Sequence, residues 1–270
     1  MTQALSQTAL ITGGSTGIGA VYADRLAHRG YDLILVARDQ ARMDTLADRL
    51  RAETGRTIEV VRADLTDPAD LARVAARFAD DPSIGLLVNN AGLSMNGDVI
   101  TVGPGEAERL IALNITAPTV LAGAAGKAFV ARGEGAIINI ASVLALLPEM
   151  FDGVYSGSKA YLLNLSQSLS AHYGAKGLYV QAVLPGATRT EIWERSGKDV
   201  DSFPADWVMD AGDLVDAALA GFDRRETVTI PPLADADLPH WQDMQAARAA
   251  LDGKLSKRDV ADRYREPAFA

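Results

Sequence analysis

The chain of 270 residues contains no cysteine. That excludes disulfides, thiolate nucleophiles and zinc–thiolate sites. Histidine is scarce. His28, His172 and His240 lie far apart in sequence without ligand-like spacing, so each is expected in solvent or core, and no metal is expected. No apolar run approaches the length of a bilayer span, so no membrane partner is expected. The first eight residues are polar and lack the charged and apolar regions of a secretory signal, which points to the cytoplasm. Basic residues are in deficit, 26 against 35 acidic ones, for a net charge of −9. Nucleic acid and anionic membrane are therefore not expected as main partners, although a local basic spot for a phosphate is compatible with this balance.

What is present is ordinary for a globular protein, with 48% apolar and 23% charged residues. Short apolar runs alternate with helical stretches. Strands are predicted at Thr8–Thr12, Asp32–Ala37, Thr57–Arg62, Ile84–Asn89, Ala136–Ile140, Leu178–Leu184 and Thr227–Ile230. Helices are predicted at Gly17–Arg29, at Asp39–Glu53 and from Pro68 to about Phe78, the last capped by Asp67. Strands that read LILV, LLV or IINI are apolar on both faces, and β–α alternation over 185 residues implies a parallel sheet wrapped by helices, an α/β class. Two further helices, Glu106–Val130 and Tyr155–Tyr173, are apolar nearly all round and must pack on the sheet and on something else, another subunit or the C-terminal tail. Residues Thr188 to about Asp210 read as a substrate loop. One catalytic domain at 1–230 with a C-terminal extension at 231–270, packed on the same domain, is the simplest organisation.

The first strand runs into Thr12-Gly13-Gly14-Ser15-Thr16-Gly17-Ile18-Gly19 and then into a helix. Glycines there permit a tight turn and close approach of a pyrophosphate, and the helix N-terminus offers N–H groups and partial positive charge. The spacing is Gly-x3-Gly-x-Gly, and a plain strand-to-helix turn is the alternative. At the end of the second strand, where an NAD site carries an acid for the ribose, stand Ala37 and Arg38. An arginine favours a 2′-phosphate and hence NADPH, unless Arg38 is a surface residue blunted by Asp39. On the dinucleotide reading Ser15 and Thr16 add phosphate contacts and Asp64 reaches the adenine amino group; otherwise Asp64 caps a turn.

Tyr155 and Lys159 are four apart at the start of a helix and share a face. A nearby ammonium is expected to lower the phenol's pKa from about 10, letting it exchange a proton near neutral pH. Ser142, just past a strand, would bond a substrate carbonyl and steady charge on its oxygen.

Together these motifs resemble the short-chain dehydrogenase/reductases over about Thr8 to Thr190. The matching residues are TGGSTGIG at 12–19, DL at 64–65, NNAG at 89–92, Asn114 in LNIT, Ser142 in IASV, YSGSK at 155–159 and PGATRT at 185–190. The resemblance implies a Rossmann-type, doubly wound sheet of about seven parallel strands. It also implies a tetrad of Asn114, Ser142, Tyr155 and Lys159. In it Tyr155 is the general acid/base, and Lys159 lowers its pKa and holds the nicotinamide ribose. Ser142 orients the carbonyl, and Asn114 holds a relay water or kinks its helix, or both. The resemblance further implies cofactor contacts from Leu65, Asn90, Ala91, Gly92, Pro185, Gly186, Thr188 and Thr190. A homodimer or homotetramer through the two apolar helices is implied as well.

Residues expected to shape the substrate pocket are Leu144, Met150, Ile192 and Trp193, mostly apolar, which predicts a hydrophobic, uncharged carbonyl or alcohol substrate. An NADPH-dependent ketone or aldehyde reductase is the leading reading. A 3-oxoacyl thioester reductase would need a basic patch, of which Arg132 is nearly the only trace. A non-catalytic NADP sensor would be expected to lack the tyrosine or lysine.

Overall fold

Apolar runs too short for helices form strands, and the longer stretches between them form helices. The computed structural model describes residues 8–197 and 199–265. In chain order it contains β1 (Thr8–Thr12), α1 (Gly17–His28), β2 (Asp32–Ala37), α2 (Gln40–Thr54), β3 (Ile58–Arg62), α3 (Pro68–Asp80) and β4 (Ile84–Asn89). There follow α4 (Pro104–Ile111), a π-helical turn (Ala112–Thr116), α5 (Ala117–Arg132), β5 (Gly135–Ile140), α6 (Gly153–Tyr173) and β6 (Leu178–Val183). The series ends with β7 (Thr188–Arg189), α7 (Ile192–Arg195), β8 (Met209–Asp210), α8 (Ala211–Asp223), β9 (Val228–Thr229) and α9 (Leu238–Ala249). The polar start of the chain, residues 1–7, lies outside the described residues.

Seven strands form one parallel sheet in the order β3-β2-β1-β4-β5-β6-β9. Successive side chains of a strand point to opposite faces. Ala9 and Ile11 of β1 join a core cluster with Tyr22, Met43, Leu50 and Leu219, whereas Leu10 joins a second cluster with Val74, Phe78, Leu121 and Phe129. Two covered faces are what the continuous apolar runs reflect. The strand order reverses at β1, and the carboxyl ends of β1 and β4 open the crevice where such sheets bind ligands. Asp67 caps α3 as expected, its carboxylate accepting the N–H groups of Ala69 and Asp70.

Four features depart from the sequence expectations. Helix α8 was not anticipated, because strict alternation stops after Pro185 in the sequence; its buried Leu214, Val215, Ala218, Leu219 and Phe222 do follow helical spacing. Residues 188–210 are not wholly irregular: β7 and β8 pair as a small parallel sheet. The span Pro104–Arg132, 29 residues, is long and apolar enough by length and composition to cross a bilayer, contrary to the expectation. Here it is a core helix, with Ala117, Leu121, Ala122, Ala125 and Phe129 buried and the Phe129 ring 5.9 Å from Phe78 of α3. Finally, Asp24, His28 and Glu53 bring three ligand-type groups together, which linear spacing did not reveal. Arg49 bonds both Asp24 and Glu53, at 2.9 and 2.8 Å, and Arg25 also bonds Asp24, so the carboxylates are held in an ion-pair network.

The described residues fall into two compact units, one running to Pro231 and one from Pro232 onward. The second contains α9 and a single 3-10 turn at Asp262–Tyr264.

Candidate active site

The glycine loop is shaped by its neighbours just past the end of β4. Gly13 adopts φ +67°, and a Cβ there would lie 2.7 Å from Asn90 Nδ2. Asn90 Nδ2 donates to the carbonyls of Thr12 and Gly13, at 2.9 and 3.2 Å. Thr12 Oγ1 in turn accepts the N–H groups of Asn90 and Ala91, each at 3.0 Å. The Asn90 carboxamide is thus directed at the loop. A Cβ on Gly19 would lie 2.2 Å from the Gly13 carbonyl oxygen. Gly19→Ala is therefore expected to push the loop open and lower the melting temperature, by roughly 1–3 kcal/mol of overpacking, measurable by thermal unfolding.

The tetrad residues come from three elements. Asp152 caps α6, its Oδ1 accepting the Tyr155 N–H at 2.7 Å, and this starts the helix at Gly153, with Tyr155 one turn before Lys159. Lys159 is 6% exposed and its Nζ donates to the carbonyl of Ile140 at the end of β5, at 2.9 Å. The same Nζ lies 5.6 Å from the centre of the Tyr155 ring. Ser142, just past β5, accepts the Leu144 N–H at 3.1 Å, and its hydroxyl is directed at the Pro185 carbonyl, 3.5 Å away. Asn114 sits inside the π-helical turn, so the polar-kink expectation holds; such turns recur at functional sites. Its carboxamide exchanges two bonds with the backbone of Leu93, both 2.9 Å, and donates to Ser158 Oγ at 3.2 Å.

Ser142, Tyr155 and Lys159 border a cavity of about 710 Å³. Of the expected residues, Gly13, Ser15, Thr16, Gly17, Ile18, Arg38, Asn90, Ala91, Gly92, Ser142, Tyr155, Lys159, Pro185, Gly186, Thr188, Thr190, Ile192 and Trp193 line it. Six expected residues do not. Gly19 packs beneath Gly13. Asp64 is closed on Thr66, accepting its N–H and hydroxyl at 3.0 and 2.7 Å, which is the turn-cap alternative. Leu65 is buried in the core beside Leu10. Asn114 is turned to Leu93. Leu144 contributes its N–H to Ser142, not its side chain to the wall. Met150 is 55% exposed on a single 3-10 turn. Glu106, Arg109 and Glu191 line the cavity and were missed, since nothing local in sequence marks them. The carbonyl of Thr188 accepts the Trp193 indole N–H at 2.7 Å.

Electrostatics correct one expectation outright. The Tyr155 phenol is pushed up to about 12, not down: burial disfavours the phenolate first, the Asp152 charge adds to this, and only the Ser142 hydrogen bond opposes it. Burial holds Lys159 down, at about 8, so the ammonium expected to tune the phenol is itself disfavoured. For Asp64, burial raises the pKa but the Thr66 bonds and the charges of Arg38 and Arg109 prevail and lower it. Arg38 is exposed and lines the cavity. The neighbour expected to blunt it, Asp39, is engaged elsewhere: it caps α2 by accepting the Arg42 N–H at 3.1 Å and lies 3.4 Å from the Arg42 guanidinium.

A family model described as short chain dehydrogenase matches residues 7–201. Human 17-beta-hydroxysteroid dehydrogenase type 3 is 32% identical over 206 residues, covering 76% of this chain and 66% of that protein. Bovine very-long-chain 3-oxoacyl-CoA reductase is 30% identical over 192 residues, 70% of this chain and 61% of that protein. The chain thus spans just under two thirds of the length of these relatives. Among solved structures, a short-chain dehydrogenase from Sphingobium yanoikuyae in complex with NADPH superposes with a TM-score of 0.92 at 52% identity, covering 96% of this chain and 99% of that one. The bulky-bulky ketone specific alcohol dehydrogenase from Comamonas testosteroni gives a TM-score of 0.88 at 48% identity, covering 96% and 99%.

Proposed function

Because this chain belongs to the short-chain dehydrogenase family, we propose that it interconverts a carbonyl and an alcohol with NADPH as its dinucleotide. The observation that carries this reading is one cavity bordered at once by the glycine loop, by Arg38, and by Ser142, Tyr155 and Lys159.

The residues fit such a group. Glycine at position 13 leaves room against Asn90 and Ala91, where a Cβ would clash. A Cβ on Gly92 would lie 3.3 Å from Asn114 Oδ1 and 3.6 Å from Lys159 Nζ, so glycine keeps the approach to the lysine open. The first turn of α1 supplies N–H groups and partial positive charge for a pyrophosphate, and Arg38 supplies a cation for a 2′-phosphate. When bound, the dinucleotide supplies or takes up the hydride. The protein's part is acid–base and electrostatic. Tyr155 gives its proton to the carbonyl oxygen as that oxygen gains charge, or takes it from the alcohol in the reverse sense. Ser142 donates to the same oxygen. Lys159 holds the ribose with hydrogens not used by Ile140.

The neighbour specific for bulky ketones and the Trp193 and Ile192 wall support a hydrophobic, uncharged substrate. The test is NADPH oxidation against a panel of bulky apolar ketones and small charged keto acids. Faster turnover of a charged keto acid overturns the substrate assignment. A second reading, reduction of a 3-oxoacyl thioester, is favoured by the bovine relative, and a 3-oxoacyl-CoA belongs in the same panel. Homo-oligomerisation through α4, α5 and α6 is part of the proposal, supported by apolar Ile111 and Val120, 43% and 39% exposed.

Arg38→Asp is expected to shift preference from NADPH towards NADH by roughly tenfold or more, the value of a charged hydrogen bond. Steady-state KM values for the two dinucleotides measure it. An unchanged ratio makes Arg38 a bystander.

A further inference from the structure

Arg42 and Glu191 stand 149 residues apart in the chain and meet at the rim of the cavity. One guanidinium nitrogen of Arg42, Nη1, donates to both carboxylate oxygens of Glu191, at 2.8 and 2.7 Å. Each partner is anchored on its own side. Asp39 caps α2 by accepting the Arg42 N–H at 3.1 Å, and its carboxylate lies 3.4 Å from Arg42 Nε. The guanidinium is thereby set on the first turn of the helix that begins just after Arg38.

Glu191 follows Thr190, which sits against the start of α1: a Cβ on Gly17 would lie 3.2 Å from Thr190 Cγ2. At the base of this segment β7 pairs with β8, and the Trp193 indole closes on the Thr188 carbonyl at 2.7 Å. Thr188, Thr190, Glu191, Ile192 and Trp193 line the cavity, and Arg42 does not. Arg42 therefore reaches the cavity through Glu191. An ion pair between half-exposed side chains adds little to folding. The placement of this one gives it another effect. It ties the wall that carries Thr190 and Trp193 to the β2–α2 corner that carries Arg38, beside the first turn of α1.

We propose that Arg42 and Glu191 are positioning residues whose ion pair holds this wall closed on the dinucleotide and slows its departure. The inference rests on the cavity being the dinucleotide site. Unpaired, a carboxylate on the cavity wall would repel phosphates. Arg42 neutralises that charge and fastens the wall with the same contact.

The experiment is stopped-flow release of NADPH, displaced by excess NADP+ and followed by nicotinamide fluorescence. It compares the wild-type protein, Arg42→Gln, Glu191→Gln and the double variant. Each single variant is expected to release NADPH roughly two- to fivefold faster, the range set by an exposed ion pair, with a melting temperature near that of wild type. The double variant is expected to release it about as fast as the singles, because either change alone already opens the contact. Opposite shifts, faster release from Arg42→Gln and slower release from Glu191→Gln, overturn the proposal and make the two side chains independent charges acting on the phosphates. Unchanged release from all three variants also overturns it, while the NADPH bound by the wild-type protein leaves the dinucleotide reading standing. A wild-type protein that binds no NADPH overturns that reading and the proposal with it.

Discussion

Tyr155→Phe is expected to lower carbonyl reduction by roughly 10²–10⁴-fold, the usual worth of a positioned proton donor. Phenylalanine preserves the edge-on packing with Phe151 and removes only the hydroxyl. Folding and dinucleotide affinity should therefore stay near wild type, and the loss should appear in kcat. Stopped-flow single turnovers and a dinucleotide fluorescence titration separate the two. A mutant that binds the dinucleotide and still turns over at a tenth of the native rate would assign the proton to another group, and Ser142 would be the first to examine.

Lys159→Met is expected to act in opposite directions on activity and stability. Activity falls with the loss of the ammonium beside the reacting tyrosine. Stability at pH 7 rises, because burial has depressed the lysine from 10.5 to about 8. Below pH 8 both folded and unfolded chains carry the proton, and the folded one bears the full cost of a buried charge. Between pH 8 and 10.5 the unfolded chain binds more protons than the folded one, so native stability climbs with pH through that window. Methionine has a similar stem and no charge. Its advantage should be on the order of 3 kcal/mol at pH 7 and should shrink towards zero as pH approaches 10.5. Melting curves of the two proteins without dinucleotide, at pH 7 and pH 10, measure this. A less stable Lys159→Met at pH 7 would show that the bond to the Ile140 carbonyl outweighs desolvation.

Much of this was legible in the sequence, for identifiable reasons. Strands buried on both faces leave runs such as LILV and IINI, and their limits were read within a residue or two. Tyr155 and Lys159 sit on one helical turn, so four-residue spacing sufficed to pair them. What escaped depended on chain segments meeting in space. Glu106 and Arg109 reach the cavity only because α4 crosses it. Glu191 is held from afar, its carboxylate 2.7 Å from Arg42 of α2. The direction of the Tyr155 shift escaped too, because a lysine four residues away says nothing of how deeply it is desolvated.

The cross-ties among Thr12, Gly13, Asn90 and Ala91 carry one more consequence. They weld two neighbouring strand ends into a stiff ledge, so the glycines beside it are not the floppy hinge their composition suggests. A visiting anion meets amides already aimed and avoids most of the ordering penalty that a wandering loop would levy on its grip. The carboxamide of Asn90 never needs to touch that visitor to decide how long it stays.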